Sequence, residues 1–179
     1  MQSHAGYLPL QDDISSVAYW YSDNLDDEYY KEDIYVGYRY FNTFRKRAIA
    51  YPFGHGLSYT SFRFGKMSVE NTEKGWNVRV KVTNTGKTAG KEVVQIYVKA
   101  PRRGLDKPER ELKGFAKTPL LAPGETCEVE IYVSKESLAS YDEAAKSWRI
   151  EKGRYTFIAG KNSLDNSRRK RISVRLMPR

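Results

Sequence analysis

The 179-residue chain has one cysteine, Cys127, and two histidines, His4 and His55. A lone thiol excludes an internal disulfide, and with so few imidazoles neither a thiolate zinc site nor a multi-histidine metal site can be assembled. No cofactor is expected. No stretch approaches the roughly 20 apolar residues that span a bilayer, so a membrane partner is not expected either. The opening M-Q-S-H-A-G-Y-L-P-L lacks a basic segment followed by an apolar one. No secretory signal is therefore visible, and localisation is left open with a slight lean to the cytoplasm. G-x-S-x-G, the P-loop and the Rossmann fingerprint are all missing. A long apolar stripe of helical period is missing too, apart from a weak patch in Ile14 to Trp20, which argues against an α/β body.

What the chain has is charge, aromatics and short alternating segments. The net charge is +9, but residues 1 to 33 hold eight acids and one base, so the remainder carries +16. Such asymmetry fits an acidic leader lying across its own basic domain, a solvated Lys-rich face, or a basic module for an anionic polymer. The bases are scattered along alternating segments, so nucleic acid is not the expected partner. The one dense cluster, Arg168, Arg169, Lys170 and Arg171, reads as an exposed turn before a last apolar strand. Fourteen of the 24 aromatic residues fall in the first sixty positions. Each buries on the order of 150 to 250 Å² if something covers it.

From about residue 61 the pattern is that of strands separated by turns. Trp76, Val78, Val80 and Val82 alternate with Asn77, Arg79, Lys81 and Thr83, giving one apolar face and one wet face. Val94, Ile96 and Val98 form the next inward set, with Val93, Gln95 and Tyr97 facing the other way. Leu112, Gly114 and Ala116 begin a further strand. Cys127, Val129, Ile131 and Val133 alternate in a half-buried strand that places the thiol indoors. Ser134 to Ala139 reads as a single helical turn with Ser134 as its cap. Strands are also expected over Ser61 to Val69, Ser147 to Glu151, Arg154 to Lys161 and Arg171 to Leu176, with Lys152-Gly153 as a tight hairpin turn. The count suits an all-β, two-sheet sandwich of about seven strands over residues 61–179, preceded by an acidic, aromatic-rich extension over residues 1–60. The connection Ala100 to Arg110 is long and charged enough to reach toward a neighbour.

Several motifs carry a family resemblance: G-Y-R-Y-F-N-T-F (Gly37 to Phe44), A-Y-P-F-G-H-G-L-S-Y-T (Ala50 to Thr60), V-T-N-T-G-K-T-A-G-K-E-V-V-Q-I-Y-V (Val82 to Val98), E-L-K-G-F (Glu111 to Phe115), L-A-P-G-E (Leu121 to Glu125) and G-R-Y-T-F-I-A-G (Gly153 to Gly160). Together, over roughly residues 32 to 165, they resemble the C-terminal part of family 3 glycoside hydrolases, the β-glucosidase-type enzymes. The resemblance implies an immunoglobulin-like sandwich of the fibronectin type III kind, with the first 60 residues as the tail of the preceding domain. It also implies that the nucleophilic Asp of an S-D-W-like motif and a K-H-F-type substrate-gripping motif lie on a barrel, and neither motif occurs here. A retaining reaction needs two carboxyls about 5 to 5.5 Å apart. Ser22-Asp23-Asn24 is only a superficial echo of the nucleophile motif, so no catalytic residue is expected. The family segment usually reads Y-F-D-T-F. Asn42 stands at its Asp, and Arg45-Lys46-Arg47 replaces a milder turn.

The resemblance implies a noncatalytic module whose partner is the catalytic part of a β-glucosidase-like protein. Tyr38, Tyr40, Phe53, His55 and Tyr59 are the expected docking residues, with Arg102, Arg103 and Asp106 as candidates on the long loop. His55, between Gly54 and Gly56, is read as part of a sharp turn rather than as a general base. The exposed N-terminal aromatics suit a homo-oligomer contact as well. An alternative is an independent carbohydrate-binding module with Tyr19, Trp20 and Tyr21 stacking on sugar rings; another is a basic module binding an anionic polymer.

Overall fold

The computed structural model describes residues 32–102 and 104–174. Strands β1 (Phe62–Asn71), β2 (Gly75–Asn84) and β5 (Thr126–Ser134) form a three-stranded sheet in the order β1-β2-β5. Strands β3 (Val93–Lys99), β4 (Glu111–Lys117), β8 (Gly153–Gly160) and β9 (Arg168–Val174) form a four-stranded sheet in the order β4-β3-β8-β9. Strands β6 (Ser140–Asp142) and β7 (Ser147–Arg149) make a separate hairpin, and all pairings are antiparallel. The two larger sheets hold seven strands, while the expected Ser147 to Glu151 strand falls in the hairpin instead, and the crossovers between the sheets make the two-sheet sandwich of an all-β domain.

The alternation in β2 produces the core as read. Trp76, Val78, Val80 and Val82 are buried, and the register brings Val78 opposite Ile131 and Val80 opposite Val129. From the other sheet Val94, Ile96, Val98, Tyr155 and Phe157 meet them, with the Trp76 and Phe157 rings 5.7 Å apart. Each such side chain contributes roughly 1.5–3 kcal/mol by leaving water. Tyr155, at the start of β8, donates its hydroxyl to the Glu151 carbonyl at 2.9 Å. That is the arrangement of a tyrosine corner, which pins the entry to a strand in sandwiches of this type. The polar flank of β2 is matched too, Arg79 pairing with Glu70 and Glu130. Cys127 is half-buried rather than fully indoors, and burial pushes its thiol up. After β5, Glu136–Leu138 forms one 3-10 turn whose cap position is Lys135 rather than Ser134, although the Ser134 hydroxyl accepts the Ser137 N–H at 3.1 Å.

Gln95 and Tyr97 face away from the sandwich core, as expected, yet they are only 7% and 0% exposed, because a layer of chain covers the outer face of the four-stranded sheet. Two expectations need correction. Lys152-Gly153 is not a hairpin turn, since β7 pairs with β6 and β8 with β3 and β9; the residues link two different sheets. Arg168 to Arg171 are not a turn either. They are the first four residues of β9, the edge strand, and all four are exposed.

Candidate functional site

The covering layer is the described part of the N-terminal extension. Its helix α1 (Tyr38–Phe44) has only seven residues and no side-chain cap at its start, where Gly37 sits at φ 58°. A helix this short is marginal by itself and is held by tertiary contacts. The Tyr38 hydroxyl accepts the Leu112 N–H at 2.8 Å, which ties the helix to β4. Its ring stacks on Phe53 at 4.7 Å and meets Tyr97 edge-on at 6.0 Å. Asn42, fully buried, donates to the Ser163 carbonyl at 3.1 Å, so the residue that replaces the family's Asp faces this chain's own 160s loop. Thr43 Oγ1 accepts the Glu109 N–H at 2.9 Å and Arg39 pairs with Glu111 at 3.0 Å.

Downstream, the chain turns sharply. The His55 N–H donates to the Pro52 carbonyl, and Gly54 between them has φ 80°, which only glycine adopts without strain. There is no room for a side chain there: a Cβ on Gly54 would stand 2.2 Å from the Gln95 amide oxygen. Gln95 in turn donates to the carbonyls of Lys161, at 2.6 Å, and Gly54, while accepting the Tyr97 hydroxyl at 2.6 Å. The Phe53 carbonyl accepts the Ser163 N–H. The end of the segment is fixed by the Thr60 hydroxyl, which donates to Asn84 at 2.7 Å.

Between these anchors the side chains point outward. Tyr51 is 77% exposed, Phe53 50%, Leu57 95% and Tyr59 100%. Tyr51 and Phe53 border a groove of 430 Å³ that runs along α1 past Ala48 and Ile49. His55 is exposed, its ring tilted against Tyr51 at 5.3 Å, in keeping with a turn residue. Thus Tyr38, Phe53 and His55 gather around one turn with Tyr59 nearby in sequence. Tyr40 lies on the helix with its ring near Phe41 and Phe44.

The long loop folds back onto the chain. Asp106 accepts the buried Tyr35 hydroxyl at 2.7 Å, and Arg102 pairs with Glu109 at 3.2 Å. Glu109 is a hub, since Lys99 reaches it at 2.8 Å and Lys46 at 4.0 Å. Burial works to raise the Glu109 carboxyl, but the Lys99, Lys46 and Arg102 charges outweigh it and hold it below the usual carboxylate range. Lys107, 3% exposed, comes within 2.6 Å of Glu151, although the two atoms are not aligned as a hydrogen bond. Arg103, and Tyr19, Trp20 and Tyr21, lie outside the described residues.

The sequence reading missed Leu57 and Tyr51, the exposed partners of the predicted aromatics; their place in A-Y-P-F-G-H-G-L was the available signal. It also missed Tyr35 and Glu109, whose contacts join positions about 70 residues apart. Among the described residues no three His, Cys, Asp or Glu side chains gather to hold a metal, and no helix is long and apolar enough to cross a membrane.

The fibronectin type III-like domain family matches residues 92–163. A β-glucosidase of Ruminococcus albus is 47% identical over 142 residues, covering 76% of this chain and 15% of that protein. Thermostable β-glucosidase B of Acetivibrio thermocellus is 44% identical over 140 residues, covering 76% and 18%. Among solved structures, β-glucosidase 3B of Thermotoga neapolitana superposes with a TM-score of 0.76 at 44% identity over 80% of this chain and 20% of its own. The chain thus spans less than a quarter of the length of these relatives. A GH3 β-glucosidase of Bifidobacterium adolescentis gives a TM-score of 0.75 at 33% identity, covering 82% and 22%. The chain thus contains a fibronectin type III-like domain, and the relatives it matches over part of their length are glycoside hydrolase family 3 β-glucosidases.

Proposed function

We propose that this chain is the noncatalytic fibronectin type III-like module of a β-glucosidase-like glycoside hydrolase, and that it buttresses the catalytic domains by packing against them. The observation that carries the reading is the 51–59 segment. Its backbone is fastened through the Phe53 and Gly54 carbonyls at Ser163 and Gln95, and the Thr60 hydroxyl that follows it bonds Asn84, yet Tyr51, Leu57 and Tyr59 stand in solvent and Phe53 is half exposed. A rigid base under a cluster of exposed large apolar groups is the form of a surface that expects a partner. Tyr38 backs Phe53 by ring stacking, and His55 lies beside Tyr51. Tyr40 on the helix, and Arg102 and Asp106 on the loop, are further docking residues in this reading.

The relatives matched here are β-glucosidases, and the same chemistry is the proposed activity of the protein to which this module belongs. In this reading the acid pair for cleavage lies on the catalytic domains rather than on the module. The test is reconstitution with the catalytic domains of a family 3 β-glucosidase prepared without this region. The added chain is expected to bind them and raise their melting temperature, and Leu57→Asp with Tyr59→Asp should weaken that binding at least tenfold. Hydrolysis of an aryl β-glucoside by the 179-residue chain alone, lost on an Asp or Glu substitution within it, would overturn the reading.

A further inference from the structure

Phe115 on β4 is 68% exposed, and among the described residues no other large apolar side chain on the two larger sheets is as open. The register fixes its direction. Gly114 lies opposite Ile96 and Ala116 opposite Val94, so both face the core. A Cβ on Gly114 would stand 2.7 Å from an Ile131 methyl of the other sheet, which leaves no room for a larger side chain on that face. A one-residue slip of β4 would force Phe115 into that tight space, so the strand holds the ring outward.

The position of Phe115 coincides with the rim of the covering layer. It lies opposite Gln95, and directly opposed residues of antiparallel strands have Cα atoms about 4.5–5.5 Å apart. The Gln95 amide donates to the Gly54 carbonyl, so the sharp turn of the 51–59 segment sits on the residue beside Phe115. Three positions earlier, Leu112 donates its N–H to the Tyr38 hydroxyl, and the Tyr38 ring backs Phe53. β4 therefore runs from beneath α1 to the open ground next to Phe53, and Phe115 stands where the cover stops. β4 is also an edge strand of its sheet. A large aromatic on such an edge invites unwanted association unless something covers it, and β9, the opposite edge, presents bases instead.

We propose that Phe115 is an anchor of the same docking surface, so that the catalytic part of a β-glucosidase-like protein lays one apolar patch across both the 51–59 segment and the β4 edge. This rests on the docking proposed above and extends it from a loop to a strand of the sandwich. The matched region is 15% of one relative and 20% of another, so the body available to cover the face is several times larger than this domain. A rigidly held aromatic beside other exposed apolar groups is the form of an interface anchor.

Reconstitution of the 179-residue chain with the catalytic domains of a family 3 β-glucosidase prepared without this region tests this. Phe115→Ser is expected to bind them at least tenfold more weakly than wild type while keeping its own melting temperature. A photoreactive p-benzoylphenylalanine in place of Phe115 is expected to cross-link to the catalytic domains on irradiation, a readout that holds even where the serine variant melts lower. Undiminished binding by Phe115→Ser, or no cross-link, would overturn the inference; if Leu57→Asp with Tyr59→Asp still weakens binding, the docking reading itself survives. Absence of binding by the wild-type chain removes the docking reading and this inference with it. Self-association of the wild-type chain that Phe115→Ser abolishes, without any effect on binding the catalytic domains, would make a second copy the occupant and also overturn the inference.

Discussion

Asn84 shows how much one side chain can hold together. It is fully buried, and its amide group donates to the carbonyls of Thr88 and Leu121 while its oxygen accepts the Thr60 hydroxyl and the Gly86 N–H. One residue thereby joins the end of the docking segment, the turn after β2 and the approach to β5. The N-T-G-K stretch from Asn84 to Lys87 is rich in turn residues, and the chain bends there, with Asn84 itself ending β2. Its reach to Thr60 and Leu121 was not legible, because a propensity for turns says nothing about distant partners. Replacing it with alanine strands the Thr88 carbonyl, the Gly86 N–H and the Thr60 hydroxyl, while the Leu121 carbonyl keeps the Gly90 N–H. Asn84→Ala is expected to cost about 2–4 kcal/mol, at about 1–3 kcal/mol per group left unpaired in the interior and with partial relief by water. Urea denaturation should show this as a lower midpoint at unchanged slope. A loss below about 1 kcal/mol would mean that the network is already wetted in the native protein.

At the level of elements, the strands were the legible part and their surroundings were not. β2 and β5 announce themselves because one face of each is apolar and the other is wet, which is the condition that alternation reports. β3 breaks that condition. Val94, Ile96 and Val98 fill the core, but Gln95 and Tyr97 are covered by residues more than forty positions earlier, a cover that alternation cannot report. The cluster Arg168 to Arg171 misled in the opposite sense: charge density suggested a turn, whereas an edge strand tolerates bases on both sides. The loop from Ala100 to Arg110 looked like an arm and is instead clamped inward through Glu109. The sign of its response to acid follows from that clamp. The folded carboxyl titrates below its unfolded counterpart, so its contribution is present above the unfolded value of about 4.3 and is lost as pH falls through the depressed folded one. Thermal melts from pH 6 downward should show wild type losing more stability below about pH 4 than Glu109→Gln, which has no such charge to lose. Parallel decline of the two proteins would show that the hub contributes nothing to folding.

For the whole molecule, the cover over β3 bears on where a domain begins. The sequence suggests a sandwich starting at residue 61, and the strands do begin at Phe62. Yet Tyr97 and Gln95 owe their burial to what precedes that point, as does the bond from Leu112 to Tyr38. A chain of residues 61–179 is expected to be less stable than one of residues 32–179 by roughly 3 kcal/mol or more, the order for uncovering two aromatic contacts and stranding several buried polar groups. Comparing the two by denaturant unfolding decides the matter. Equal stability would make residues 32–60 a passenger on an autonomous sandwich.

The double-sided burial of β3 has one more consequence. Its backbone is bonded to β4 on one flank and β8 on the other, with the sandwich interior beneath and α1 above. Water has no local route to such amides, so fraying at the termini or excursions of the surface loops leave them closed. Their exposure is tied to parting of the sheets or lifting of the helix, which makes this strand the last region to surrender its protons to solvent and the kinetic keystone of the domain.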